Sequence, residues 1–218
     1  MLCPMNTEWI WLCVLAGGLA GTVVFKWAGL TPIMGSLKAV TSTAFLAIAI
    51  TLGALDSRYG QCILLGLVLS WFGDIFLIWR TRAPFLAGLV AFLLAHVAYC
   101  GAFVFHGLNL GWSLGMLVVL VPVAAIIARW VLPKADPDMR APVLAYMVVI
   151  SAMVFLAAGA VGAQGPVIII AGAVLFYISD VFVAREAFVA PGFSNTLLGL
   201  PMYYGGQVLL AWSIGFVG

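Results

Sequence analysis

Long apolar runs separated by short polar breaks are the dominant pattern of this chain. Eight runs approach the ~20 mostly apolar residues that a helix needs to cross a hydrocarbon layer. They lie at 8–25, 36–54, 61–79, 84–105, 112–131, 141–161, 166–184 and 197–217. The breaks between them carry helix-ending residues: Thr31-Pro32, Asp56-Ser57-Arg58, Ala83-Pro84, 133–138, Gly165-Pro166 and Pro191-Gly192. This pattern predicts an all-α integral membrane fold of eight transmembrane helices in one domain, 1–218. No polar or low-complexity stretch is long enough to form a soluble domain beside it.

Eight spans place both termini on one side, and the basic residues choose the side. The first, third, fifth and seventh breaks with their flanks hold Lys26, Arg80, Arg82, Arg129, Lys134, Arg140 and Arg185, whereas the others hold only Arg58. Positive charge collects on cytoplasmic loops, so the first group is expected inside and both termini outside. The N-terminus carries Glu8 where a secretory leader would be basic, which predicts a retained first span.

Composition narrows the partners. Of 218 residues, 66% are hydrophobic and 7% charged, against roughly 25% charged in an average soluble domain. A net charge of +2 is too small to suggest nucleic-acid binding. The four cysteines, Cys3, Cys13, Cys62 and Cys100, are scattered without a C-x-x-C pair, so neither a disulfide nor a metal role is expected of them.

Against this background two charges stand out. Asp74 in LVLSWFGDIFLIWR and Asp180 in AVLFYISDVFVAR lie inside apolar runs, each followed two residues later by Phe and then by Arg80 or Arg185. A charge near mid-bilayer costs about 3 kcal/mol or more on insertion scales, so each must be partnered or used in chemistry. Both lie in the cytoplasmic half of inward-running segments, about 9 Å before Arg80 and about 7 Å before Arg185 at 1.5 Å per residue. They are 106 residues apart, close to half the chain, which suggests two parallel four-helix half-repeats, 1–106 and 107–218. Each aspartate can instead be structural, paired with an arginine snorkelling back toward it. As chemistry, two carboxyls brought close in an apolar site can hold one proton and one charge, which suits acid catalysis.

Further candidates lie at similar depth. Lys38 can snorkel to the interface, or serve as counter-ion to the aspartates or ligand for a lipid phosphate. His96 is either a hydrogen-bonded structural histidine or a catalytic or orienting one. Tyr203, Tyr204 and Gln207, after Pro201, either bind helices together or line a polar cavity. Tyr146 with Ser151 is a weaker case of the same kind. The serines lack a G-x-S-x-G setting. Two Asp and one His could hold a metal, but spacings such as H-E-x-x-H are absent, so no metal or cofactor is expected. Glycine pairs such as Gly17 with Gly21 and Gly111 with Gly115 suggest helix packing.

Taken in order, Ser36-Leu-Lys38, Phe72-Gly-Asp74, Ala95-His96-Val-Ala-Tyr99, Tyr146 with Ser151, Ser179-Asp180-Val-Phe182 and Leu200-Pro-Met-Tyr203-Tyr204-Gly-Gly-Gln207 resemble the lysoplasmalogenase, or YhhN-like, family of membrane proteins. The resemblance covers the second to eighth segments. It implies an eight-span hydrolase that cleaves the vinyl-ether bond of lysoplasmalogens to a fatty aldehyde and a glycerophospho-base. It further implies Asp74 and Asp180 as the catalytic pair; such a pair can supply both carboxyl roles without a metal, with Lys38, His96, Tyr146, Tyr203, Tyr204 and Gln207 expected to bind or orient the lipid or the water. The implied partners are a lysophospholipid substrate and membrane lipids, and the implied location is a plasma membrane, the inner membrane of a bacterium. A proton-coupled transporter of a small or lipid-like solute is the competing class, with the aspartates as its relay.

Overall fold

The computed structural model describes residues 7–79 and 81–217, apart from the side chains of Thr31 and Pro32. Cys3 and Arg80, the latter offered by the sequence as a partner for Asp74, lie outside the described residues. Among the described residues the chain forms eight α-helices and no strand. These are α1 (Thr7–Trp27), α2 (Thr31–Thr51), α3 (Arg58–Phe76), α4 (Arg82–His106), α5 (Leu110–Val131), α6 (Arg140–Gly162), α7 (Ile168–Ala184) and α8 (Phe193–Val217). A 3-10 turn, Leu132–Lys134, follows α5, and a π turn, Arg185–Val189, follows α7.

Each helix overlaps one predicted run, and the offsets have local causes. Helix α2 opens at Thr31 rather than 36, because proline fits a helix's first turn, where its missing N–H would be unbonded anyway. Helix α8 opens at Phe193, so Pro201 lies inside it and not at its start as the sequence suggested. Ser57 caps α3 by accepting a hydrogen bond from the Gly60 amide at 3.0 Å, and Asn109 caps α5 by accepting from the Trp112 amide at 3.3 Å. At Gly107 the chain leaves α4 with φ 108°, a backbone region that favours glycine.

Seven of the helices are long and apolar enough to cross a membrane. The eighth, α8, is as long as α4 but carries Asn195, Pro201, Tyr203, Tyr204 and Gln207 and buries most of that polarity against its neighbours. The protein is therefore an all-α integral membrane protein.

Sequential helices pack as hairpins, α1 with α2, α3 with α4, α5 with α6 and α7 with α8. Contacts of α4 with α6 and of α2 with α8 join the two halves of the chain. Close approach depends on glycine at two places. A Cβ on Gly73 of α3 would stand 2.6 Å from the Phe92 ring of α4, and one on Gly206 of α8 would stand 2.9 Å from the Gly172 carbonyl oxygen of α7. By contrast, Gly17 and Gly115 face open space, so the packing expected of those two does not occur within the bundle. An exposed Arg82–Asp138 ion pair ties the α3–α4 and α5–α6 connections together, which puts these two arginine- and lysine-bearing breaks at one end of the bundle.

Candidate active site

Asp74 lies in the last turn of α3, buried where Gly73 lets α4 come close. Its carboxylate is surrounded by donors. Lys38 Nζ of α2 stands 2.9 Å from Oδ1. The Ser42 hydroxyl, one turn further along α2, donates to Oδ2, and the Tyr203 hydroxyl of α8 donates to the same oxygen at 2.7 Å. Lys38 and Ser42 reach one carboxylate because residues four apart share a helix face. Behind them the Tyr204 hydroxyl lies 3.2 Å from Ser42 Oγ and 3.3 Å from the Lys38 carbonyl oxygen. Among the readings open for Lys38, its contact with Asp74 is that of a counter-ion.

Asp180, near the end of α7, has a different shell. The Tyr146 hydroxyl of α6 donates to its Oδ2 at 2.5 Å, and Ser179 Oγ lies 3.5 Å from Oδ1. His96 of α4 points Nε2 at Oδ2 from 3.6 Å, while its Nδ1 lies 2.5 Å from the Phe92 carbonyl oxygen of its own helix. Arg185 does not turn back to Asp180: its guanidinium donates to Ser194, at 3.2 Å, and to Asn195. That cluster continues through Asn195 Nδ2 to Glu186 Oε2 at 2.7 Å and fixes the π turn to the start of α8.

Both carboxyl groups line one cavity of about 490 Å³, within the roughly 300–1,000 Å³ typical of small-molecule sites. Lys38, Tyr146 and Tyr203 also line it. Most of the remaining wall is apolar, including Leu89, Phe92, Ile127, Val143 and Ile150. The cavity runs from the aspartates to the bundle end formed by Lys26, Glu186 and Pro191. His96, Tyr204 and Gln207 are fully buried and are not among the lining residues. They stand behind the wall: Tyr204 on Ser42, His96 on Asp180, and Gln207 accepting from the Tyr99 hydroxyl at 2.6 Å. The two shells meet across an aromatic partition, with Phe176 4.5 Å from the His96 ring and 5.5 Å from the Tyr203 ring, centroid to centroid. Among the described residues no three His, Cys, Asp or Glu side chains form a group able to hold a metal ion.

The sequence model of the YhhN family matches residues 35–214, a span that includes both aspartates and every partner named for them. The chain belongs to the YhhN family. Relatives of this YhhN protein include a human protein named Lysoplasmalogenase TMEM86B, 36% identical over 71% of this chain and 64% of the human one. A pig protein of the same name is 31% identical over 78% of this chain and 71% of its own. Bovine Lysoplasmalogenase TMEM86A is 30% identical over 69% of this chain and 64% of its own. The match thus leaves about a third of the human and bovine proteins uncovered. No solved structure matches the chain.

Sequence reasoning weighed Ser42 only as a nucleophile and missed Phe92 and Phe176. Ser42 carried a usable signal, since it lies four residues after Lys38 in an apolar helix and shares its face. Phe92 and Phe176 carried none, because one phenylalanine among many apolar residues does not reveal which ring will separate two carboxyls.

Proposed function

We propose that this YhhN protein hydrolyses the vinyl-ether bond of a lysoplasmalogen, a 1-alkenyl glycerophosphoethanolamine or glycerophosphocholine, with Asp74 and Asp180 as its catalytic carboxyls. The observation that carries the reading is that both aspartates line one otherwise largely apolar cavity. The names of the relatives point to the same substrate.

Hydrolysis of a vinyl ether begins with proton transfer to the alkene carbon remote from oxygen, which leaves an oxocarbenium ion. Water adds to that ion, and the hemiacetal collapses to aldehyde and alcohol. The reaction needs one acid, one negative charge and one water, the same division that two carboxyls perform around a glycosidic bond. A single alkenyl chain fits the apolar wall, with the headgroup toward the bundle end that holds Lys26. Lys38 pairs with the Asp74 carboxyl, and Tyr146 and Tyr203 orient the two carboxyls. His96, Tyr204 and Gln207 act from behind as supports. We place the cavity mouth on the cytoplasmic side of a bacterial inner membrane, with both termini outside, from the basic end of the bundle.

Purified protein should release fatty aldehyde from lysoplasmalogen, with a chelator present, and folded Asp74→Asn and Asp180→Asn variants should each lose at least about 10²-fold in kcat. Retention of most activity by either variant would reject the two-carboxyl mechanism. Loss of activity on chelation would reject its independence of metal. Movement of intact lipid across proteoliposomes, driven by a pH gradient and without aldehyde, would favour a transporter.

A further inference from the structure

We infer that Asp180 and His96 hold one proton between them, that Asp180 gives it to the substrate carbon, and that Asp74 is the standing carboxylate. This assignment of roles rests on the two-carboxyl reading above.

The starting point is the imidazole. Nδ1 of His96 lies 2.5 Å from the Phe92 carbonyl oxygen. A carbonyl offers only lone pairs, so Nδ1 must carry hydrogen and donate. In a neutral ring this leaves Nε2 as a bare acceptor. Nε2 has no hydrogen-bond partner, the residue is fully buried, and the nearest acidic oxygen is Asp180 Oδ2 at 3.6 Å. An ionised Asp180 against this neutral ring would set two lone-pair atoms and a full charge face to face in apolar surroundings. A single proton between them removes the conflict. It resides on the carboxyl, because the imidazolium–carboxylate form would put two buried charges in apolar surroundings where the neutral form has none. The 3.6 Å gap closes when substrate fills the cavity, as catalytic hydrogen bonds often tighten on binding.

Asp74 is in the opposite state. An ammonium group at 2.9 Å and two hydroxyl donors suit only an anion. The titratable groups facing Asp180 are Tyr146 from α6 and His96 from α4, with Tyr177 on its own helix. Across the cavity stand Lys26, Lys38, Asp74, Glu186 and Tyr203.

The step balances as follows. The Asp180 O–H bond breaks, the alkene electron pair forms a C–H bond to the carbon remote from oxygen, and the ether-bearing carbon becomes the oxocarbenium centre opposite the Asp74 carboxylate. Water adds there and returns one proton to Asp180. The hemiacetal hydroxyl proton then passes to the departing glycerol oxygen. His96 never touches substrate and is a positioning residue.

Infrared spectroscopy of the purified protein at neutral pH tests the assignment without needing turnover. A protonated-carboxyl carbonyl band should be present, vanish in Asp180→Asn, survive in Asp74→Asn and change frequency in His96→Leu. The same His96→Leu variant should lose on the order of 10² in kcat with little change in KM, and the alkaline limb of its pH profile should move. Loss of the band in Asp74→Asn, its survival in Asp180→Asn, an imidazolium signature in place of the band, or an unmoved alkaline limb would each overturn the proposal. If the band behaves as expected but no aldehyde forms, the vinyl-ether reading fails and the proton assignment stands.

Discussion

The two aspartates occupy corresponding places in the two halves of the chain, yet their surroundings differ in charge. Each takes one set of partners from the second helix of its own half, Lys38 and Ser42 of α2 for Asp74 and Tyr146 of α6 for Asp180. Each takes another partner from the last helix of the opposite half, Tyr203 of α8 for Asp74 and His96 of α4 for Asp180. His96 and Tyr203 are 107 residues apart, almost the spacing of the aspartates themselves. The contacts α2 with α8 and α4 with α6 are the pair that a two-fold relation between the halves would exchange. Parallel half-repeats would account for this exchange. The lesson is chemical: similar frames carry an ammonium group beside one carboxyl and an imidazole beside the other, the contrast on which the proposed division into charge holder and proton donor rests.

The strongest way to break this contrast is to remove the cation. Lys38→Met leaves Asp74 buried and ionised without its partner, and breaking a buried pair in this way costs about 3–5 kcal/mol. Unfolding in detergent should show a loss of that size, partly recovered in the double variant Lys38→Met/Asp74→Asn. His96→Leu orphans no charge and should cost clearly less. Equal losses for the two single variants would erase the difference between the pockets.

Removing one hydroxyl from each shell gives a smaller but sharper test. Tyr146→Phe takes away the shortest hydrogen bond to Asp180, whereas Tyr203→Phe leaves Asp74 with Lys38 and Ser42. A hydrogen bond to a neutral acid contributes about 0.5–1.5 kcal/mol. Aldehyde release should therefore fall roughly 2- to 10-fold in Tyr146→Phe, where the proton donor loses its one short contact, and less in Tyr203→Phe, where Lys38 and Ser42 still hold Asp74. The reverse order would mean that Asp74, not Asp180, depends on a single donor.

Much of this frame was legible in the chain. The eight runs, the breaks and the two aspartates follow from the requirement that a lipid-spanning backbone bond to itself and that a buried charge find a partner. What the sequence left open was partner choice. Lys38 had three chemically sound roles, and its contact with Asp74 depends on the meeting of α2 with α3. Arg185 was available to Asp180, but Asn195 and Ser194 compete for it once α8 begins at Phe193. For His96, Tyr204 and Gln207 a packing role and a lipid-binding one both stood open, because polar side chains on apolar helices all look alike. Which of them line a cavity and which stand behind it depends on helix rotation, set here by contacts such as Gly73 with Phe92 and Gly172 with Gly206.

The rotation can be disturbed directly. A Gly73→Ala methyl would meet the Phe92 ring at 2.6 Å, and overpacking of this kind costs about 1–3 kcal/mol. The same push displaces Asp74 and the Phe92 carbonyl that fixes His96, so kcat should fall with the melting temperature. Gly115→Ala, whose new methyl meets nothing, should change neither.

The smallest expected effect comes from an exposed acid–base ion pair, Arg82 with Asp138. It joins the same kinds of group as Lys38 with Asp74 but lies in water, with side chains 67% and 54% exposed. In high dielectric the attraction is screened and the ordering of two long side chains offsets much of it, so such pairs contribute about 0–1 kcal/mol. Asp138→Asn should leave activity unchanged and shift stability by less than about 1 kcal/mol, an effect that shrinks further as salt is raised. A loss comparable to that of Lys38→Met would mean that charge pairing alone, and not its removal from water, makes the Asp74 site costly to break.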